Sequence, residues 1–441
     1  MSRLVVSFLV LSCGLCSLAA GASPWVEADD PFLRSDLQYL ADRDFIRLPL
    51  NTFPVRWSLL ADQFAKLDPA SLNSAEQSAY RHVQYRLDSE RLGRGRSHLT
   101  LSWANDADVG QNGFGGSEHT EYGIRASHEI MENQFAMRVS SGYRQAADSS
   151  DHWHFEDSYL AFGARDFTLS LGWLSRWWGP GWQQAFGFGQ QAVSVPGLSL
   201  SYQHPSAGWL GSLWAETLLG KQDIDKQDNQ VDADYLWASR VALRPKSWLQ
   251  LGSSYKQWLG GTDTLPGQSA TSEQSNGMWT LDMRLSAPLP WAGAGGLYGE
   301  YGHDRQTSVD YQLMGLDARW LLGRESLRLV AEVQESDPES TSNADLGVQP
   351  LWQHKGNAIV DAVDGKRVSL GGYLQLHNDH TLSAFVHQNS PAMAERYQTL
   401  VAQYRLPVFA GRVTGNLTGS EDNAPTADRL SGGVVYEYRF N

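Results

Sequence analysis

Cysteine is confined to positions 13 and 16 of this 441-residue chain, so no disulfide braces the remainder. A fold of this length without disulfides relies on its own buried surface. Long apolar runs are also missing: after the first 20 residues none approaches the ~20 residues that a membrane helix needs. With a mean hydropathy of −0.39, a helical membrane protein is excluded. Basic residues are few, 35 Lys and Arg against 49 Asp and Glu, for a net charge of −14. That balance argues against a nucleic-acid partner, whose site should be basic. A hydrophobic content of 41% excludes a disordered chain. What the chain has in quantity is Gly (42), Trp (17), Tyr (17) and Phe (15), a composition common in β-proteins.

Residues 1–22 combine Arg3, an apolar stretch from Leu4 to Leu18 and the small residues Ala20-Gly21-Ala22. This pattern predicts a signal peptide cleaved after Ala22, with Ser23 as the mature N-terminus. Cys13-Gly14-Leu15-Cys16 then lies in the leader and has no redox role. The alternative, a lipoprotein signal ending at Cys13, would need a very short apolar core.

The rest divides at about residue 96. Within 23–96, Pro31, Phe32, Leu33, Leu37 and Leu40 recur at helical spacing. A second helix is expected from Trp57 through Phe64 to Leu67, and a third from Ser74 to Leu92, with Ser74 as N-cap and Gly93 as stop. Over 97–441 the apolar period becomes two, as in Phe167, Leu169, Leu171 and Trp173, or Leu327, Leu329, Ala331 and Val333.

There are 18 such stretches, and their connections are sorted. Odd-numbered ones are mostly long (104–118, 144–152, 176–196, 220–233, 257–275, 336–365). Even-numbered ones are mostly short: Met131-Glu132, Arg165-Asp166, Arg244–Lys246, Gly323-Arg324, Asn378 and Pro407-Val408. The exceptions are a longer even connection at 287–294 and a short odd one at 304–307. Long loops on one side and tight turns on the other predict an all-β transmembrane fold, an 18-stranded antiparallel outer-membrane β-barrel. Arg125, Arg138, Arg165, Arg240, Arg284, Arg319, Arg328, Arg367 and Arg439 fall out of phase with the apolar set, as do Glu216, Asp282, Asp317, Glu332 and Glu437. A sandwich core would penalise so many ions, whereas a wet lumen keeps them hydrated. The apolar phase then faces lipid, and most of the Trp residues are expected to be interfacial anchors.

Three stretches resemble the capsule assembly Wzi family: Ser23–Leu37, the run PLNTFPVRW at Pro49–Trp57, and Gly172–Leu200 with its Arg176-Trp177-Trp178-Gly179-Pro180-Gly181-Trp182. The terminal Val435–Phe440 resembles an outer-membrane end signal, although Asn441 follows the aromatic. The resemblance implies a helical bundle closing the periplasmic side of the barrel. It also implies a lectin-like role, holding capsular or extracellular polysaccharide at the cell surface. The family's Asn-Ala-Arg-Pro reads Gln191-Ala192-Val193-Ser194-Val195-Pro196 here, so no binding residue is carried over.

The residues themselves suggest polysaccharide contacts at Trp177, Trp178, Trp182 and Trp153, because indole faces stack on sugar rings. The competing reading, that the Trp177–Trp182 segment packs a plug in the lumen, is favoured. Asp223 and Asp225, in an acidic loop, are candidates for sugar hydroxyls or for bridging lipopolysaccharide through divalent cations. His152 and His154 share one strand face, but no third metal ligand is apparent. Gly187–Ala192 matches a dinucleotide pattern without its strand–turn–helix setting. Ser253 and Lys256 match S-x-x-K, yet a strand points them to opposite faces. We therefore expect no enzyme, cofactor or metal. The expected partners are polysaccharide, the outer membrane with its lipopolysaccharide, and the polysaccharide export machinery. The rival reading is a substrate-selective porin.

Overall fold

The computed structural model describes residues 23–93, 96–105, 113–116, 121–145, 153–189, 194–221, 235–259, 277–305, 308–337, 353–354, 357–358, 365–391, 395–421 and 430–440. The expected leader, Asp223 and Asp225 lie outside them.

Eighteen antiparallel strands close on themselves. They are β1 (Ser97–Ala104), β2 (Tyr122–Glu132), β3 (Phe135–Gln145), the interrupted β4 (Trp153–His154 and Tyr159–Ala164), β5 (Phe167–Gly172) and β6 (Gly197–His204). Next come β7 (Ser212–Lys221), β8 (Tyr235–Lys246), β9 (Leu249–Leu259), β10 (Gly277–Leu289), β11 (Gly293–Asp304) and β12 (Val309–Leu322). The last are β13 (Glu325–Asp337), β14 (Lys366–Gln375), β15 (Thr381–Ser390), β16 (Tyr397–Val408), β17 (Gly411–Ser420) and β18 (Leu430–Phe440). β18 pairs with β1, Phe440 opposite Ser97, which leaves no free edge.

The period-two reading holds strand by strand. Along β13, Ser326, Arg328, Val330, Glu332 and Gln334 are buried, while Leu329 and Val333 are exposed. Exposed Leu169, Leu171, Leu200, Leu281, Met283 and Leu316 extend the outer apolar belt around the wall. The short connections gather at one end, and four of them differ from expectation: the turns expected at Met131-Glu132 and Arg244–Lys246 fall at residues 133–134 and 247–248. The 287–294 exception tightens to residues 290–292, because β10 and β11 run on into it. The turn expected at Pro407-Val408 falls at Phe409-Ala410, where φ is 49° and 60°. Positive φ at both central residues gives the turn the twist of its flanking strands. Arg165, read as lumenal, sits exposed in the short turn between β4 and β5 instead.

Three helices precede the barrel: α1 (Pro31–Asp42), α2 (Trp57–Phe64) and α3 (Ser74–Arg91). Pro31 opens α1, and the Asp30 carboxylate accepts from the Phe32 and Leu33 amides at 3.0 and 3.2 Å. The cap of α3 is Asn73 rather than Ser74, in a reciprocal capping box with Glu76. Gly93, at φ 64°, follows the end of α3 as expected. Leu33, Leu37, Leu40, Leu60, Phe64, Val83 and Leu87 pack these helices into one core.

Helix α1 sits inside the barrel, so the lumen is not wet where the charges are, while α2 and α3 keep exposed faces. All 12 residues of α1 are buried, including Arg34, Asp36 and Asp42. An amphipathic helix normally turns its polar face to water; here that face meets the arginines of the wall. Arg284 reaches Asp42 at 2.8 Å, Arg319 pairs with Asp36, and Asp317 is shared by Arg284 and Arg328. Arg328 also donates to the Ser35 hydroxyl and carbonyl, both at 2.8 Å. Arg240 holds Asp282 at 2.8 Å, Thr52 at 2.7 Å and the Asn51 carbonyl at 3.0 Å.

Removing one member of such a set strands the others in a dry interior, at about 3–5 kcal/mol. Asp317→Asn should therefore lower the thermal midpoint of the detergent-solubilised barrel and expose the helices to trypsin before the strands melt. A midpoint equal to the parent's would show that Asp317 does not hold the plug.

Candidate functional site

The segment after β5 turns inward. Trp177 and Trp178 pair in a short antiparallel ribbon with Phe53 and Thr52 of the plug. Glycine is required at 179, because a Cβ there would lie 2.7 Å from the Glu300 carboxylate and 2.8 Å from the Ala185 Cβ. The Glu300 carboxylate accepts from the Phe186 and Gly187 amides at 3.1 and 3.0 Å. Glu332 does the same for Trp182 and Gln183, and also accepts from the Tyr298 hydroxyl at 2.7 Å. Lys256 donates to the carbonyls of Phe186 and Gly187. Arg34 reaches up from α1 to the Gly181 and Pro180 carbonyls at 2.8 and 3.0 Å. The inserted segment is thus held by β9, β11 and β13 on one side and by the plug on the other.

The sequence candidates separate on this geometry. Trp177, Trp178 and Trp182 are 0%, 0% and 1% exposed, which leaves no ring face for a sugar. Trp182 lies between the guanidiniums of Arg34 and Arg328, at 4.3 and 4.7 Å, and these three indoles pack the plug, the reading favoured above. Trp153 is exposed on the outer face of β4, edge-on to Tyr143 at 5.5 Å, in the position of an interfacial anchor. Trp209, Trp248, Trp291 and Phe409 are exposed at the short-turn end, as girdle residues should be. Trp25, Trp57, Trp214 and Trp258 are buried, so the interior holds more of the tryptophans than expected. His154 faces the lumen 3.6 Å from Glu156, while His152 lies outside the described residues. Ser253 is exposed and Lys256 buried, on opposite faces as expected.

Sequence reasoning missed the clasp residues Glu300 and Lys256 and their plug counterparts Arg34, Asp36 and Asp42. The available signal was the charge on α1 itself, three ions in a helix too apolar to lie free in water. Two plug groups bear the mark of this burial. Burial disfavours a charged His82, but its hydrogen bond to Asp36 (2.6 Å) and the Asp36 charge prevail and raise its pKa. Burial likewise opposes the Asp36 carboxylate, yet Arg319 and then His82 hold it below its ordinary value.

Opposite this closed side the lumen keeps a cavity of about 320 Å³, lined by β1–β3, β16–β18, the Ser23–Asp29 segment and α3. Glu27, Glu129 and Tyr159 surround Arg138 there. Burial pushes the Glu27 carboxyl up to about 7, against the lowering pull of Arg138.

Two measurements follow. Trp182→Ala should cost about 3–5 kcal/mol in thermal unfolding, as for other buried indoles. An unchanged midpoint would remove its packing role. Because the pKa of His82 is raised in the folded state, its stabilisation is full below the unfolded value near 6.5 and fades as pH rises through the folded value. The difference in melting midpoint between the parent and His82→Gln should accordingly be larger at pH 5.5 than at pH 9. A difference independent of pH would refute the ion pair.

The family profile described as "Capsule assembly protein Wzi" matches residues 91–355. A Klebsiella pneumoniae relative, described as an uncharacterized 55.8 kDa protein in the cps region, is 22% identical over 369 residues, spanning 76% of this chain and 69% of its own. Among solved structures, an Escherichia coli protein superimposes with a TM-score of 0.81 at 17% identity, covering 95% of this chain and 100% of that one. It is described as Wzi, an outer membrane protein involved in group 1 capsule assembly and a carbohydrate-binding β-barrel. A closed 18-stranded barrel filled from within and a profile match over more than half its length lead to one conclusion: the chain belongs to the Wzi capsule assembly family.

Proposed function

We propose that this protein sits in the outer membrane and attaches or organises capsular or extracellular polysaccharide at the cell surface, without catalysing a reaction. Family membership supports the capsule role. The observation that carries the reading away from a porin is the plug: ion pairs bind α1 to the wall, and Glu300 of the wall holds the amides of the 177–188 segment. A selective pore needs an open aqueous path, and its charged lining should face water rather than buried backbone. In this reading the short turns and the helical bundle lie on the periplasmic side, within reach of the export machinery. The long connections face outward, towards polysaccharide and lipopolysaccharide. The exported chain begins at Ser23.

Deleting the gene should move polysaccharide from the cell-attached to the released fraction, and expression of the parent chain should reverse the change. An unchanged partition would remove the anchoring role. In planar bilayers the purified barrel should show little steady conductance; large, steady openings would favour the porin instead.

A further inference from the structure

The plug's bonds to Arg240, Arg244, Arg284, Arg319 and Arg328 lie on β8–β13, and the cavity lies along β1–β3 and β16–β18, where Arg138 holds Glu27 of the plug. Each of those wall arginines holds a carboxylate or a carbonyl of the plug. Arg405 of β16, which lines the cavity, does not. It is 7% exposed, and among the described residues it has no hydrogen bond or ion pair. Its Nε is buried without an acceptor, and its guanidinium lies 5.9 Å from the Phe32 ring. Beside it, Gln403 donates to Asn416 at 2.9 Å but its own carbonyl oxygen is unpartnered. Arg412 is already bound to Glu437 at 2.7 Å, and Thr414 adds a hydroxyl to the wall. A buried guanidinium without a direct hydrogen-bond partner is costly. Asp29, Asp30 and Glu437 act on Arg405 through space, yet among the described residues none makes an ion pair with it.

We propose that the cavity receives a carboxylate-bearing sugar unit, a uronate, with Arg405 as its forked partner and Gln403 and Thr414 beside it for ring hydroxyls. The planar guanidinium matches a carboxylate through two parallel hydrogen bonds. A volume of about 320 Å³ is at the small end of ligand sites, which suits a single unit or branch rather than a packed chain. The inference rests on the polysaccharide-binding reading and narrows it to an acidic polymer.

Isothermal titration of the full-length protein in detergent tests it, with three probes: a glucuronate-containing oligosaccharide, a neutral gluco-oligosaccharide of equal length, and inorganic phosphate. The acidic probe should bind saturably, and Arg405→Gln should weaken it at least tenfold. Arg405→Lys, which keeps the charge but loses the fork, should fall between. The neutral probe should not bind. Because Arg405 makes no direct ion pair or hydrogen bond among the described residues, the melting midpoint of Arg405→Gln should stay close to the parent's, which separates lost binding from misfolding. Unaltered uronate binding in Arg405→Gln, equal binding of the neutral probe, or binding of phosphate alone would each overturn the proposal. If gene deletion releases polysaccharide while the purified protein ignores the acidic probe, this inference fails and the anchoring role stands. An unchanged partition on deletion removes the anchoring role instead.

Discussion

The architecture depends on charge taken out of water on both sides of one interface. The barrel wall presents Arg240, Arg284, Arg319 and Arg328 inward, and the plug brings Asp36, Asp42, Asn51 and Ser35 to meet them. Neither half is stable as it stands. An empty barrel would keep its arginines only in a flooded lumen, and free α1 would bury its apolar stripe against nothing. Joined, the plug adds Asp36 and Asp42 to the wall's own Asp282 and Asp317 as counter-ions. Such pairs add little net stability compared with apolar packing, but they penalise every misplaced register of the plug. We read them as what fixes its orientation.

Outside, the constraint is simpler. Lipid offers no hydrogen bonds, so every backbone group of the wall must pair with a neighbouring strand, and a closed barrel is the β solution. The side-chain period of two then divides each strand between lipid and lumen. This division explains how a chain with a mean hydropathy of −0.39 can span a membrane at all. Half of each strand is polar because half of each strand faces inward.

That division is also why so much was legible in the sequence. Alternation such as Leu327, Leu329, Ala331, Val333 reports a face directly, and positive-φ turns such as Phe409-Ala410 differ from expectation by only two residues. The lumen was harder to read. The spacing of Arg284 or Arg319 says that the side chain points inward, but a wet lumen and a filled one produce the same spacing. Only the charges on α1 distinguish them, and their partners lie more than 200 residues away in the chain: Arg284 bonds Asp42 across 242 positions and Arg319 bonds Asp36 across 283. For Trp177 and Trp182, composition could not distinguish a stacking platform from a packing block. The Gly179-Pro180-Gly181 turn resolves it by directing the indoles into the plug.

The same network limits how such a barrel could ever pass or admit anything. Withdrawing the plug would break several buried pairs together, each costing about 3–5 kcal/mol when one partner leaves. The total would be comparable to the whole stability of many domains. Thermal motion therefore does not open this lumen by expelling α1, and the clasps of Glu300 and Glu332 hold the 182–187 segment by the same means. The side where β1–β3 and β16–β18 face the plug holds it through Arg138 and Glu27 but contains space. A ligand that enters along that wall meets existing space rather than the tightly packed clasp. The plug thus fills much of the lumen while leaving one interior surface with space beside it.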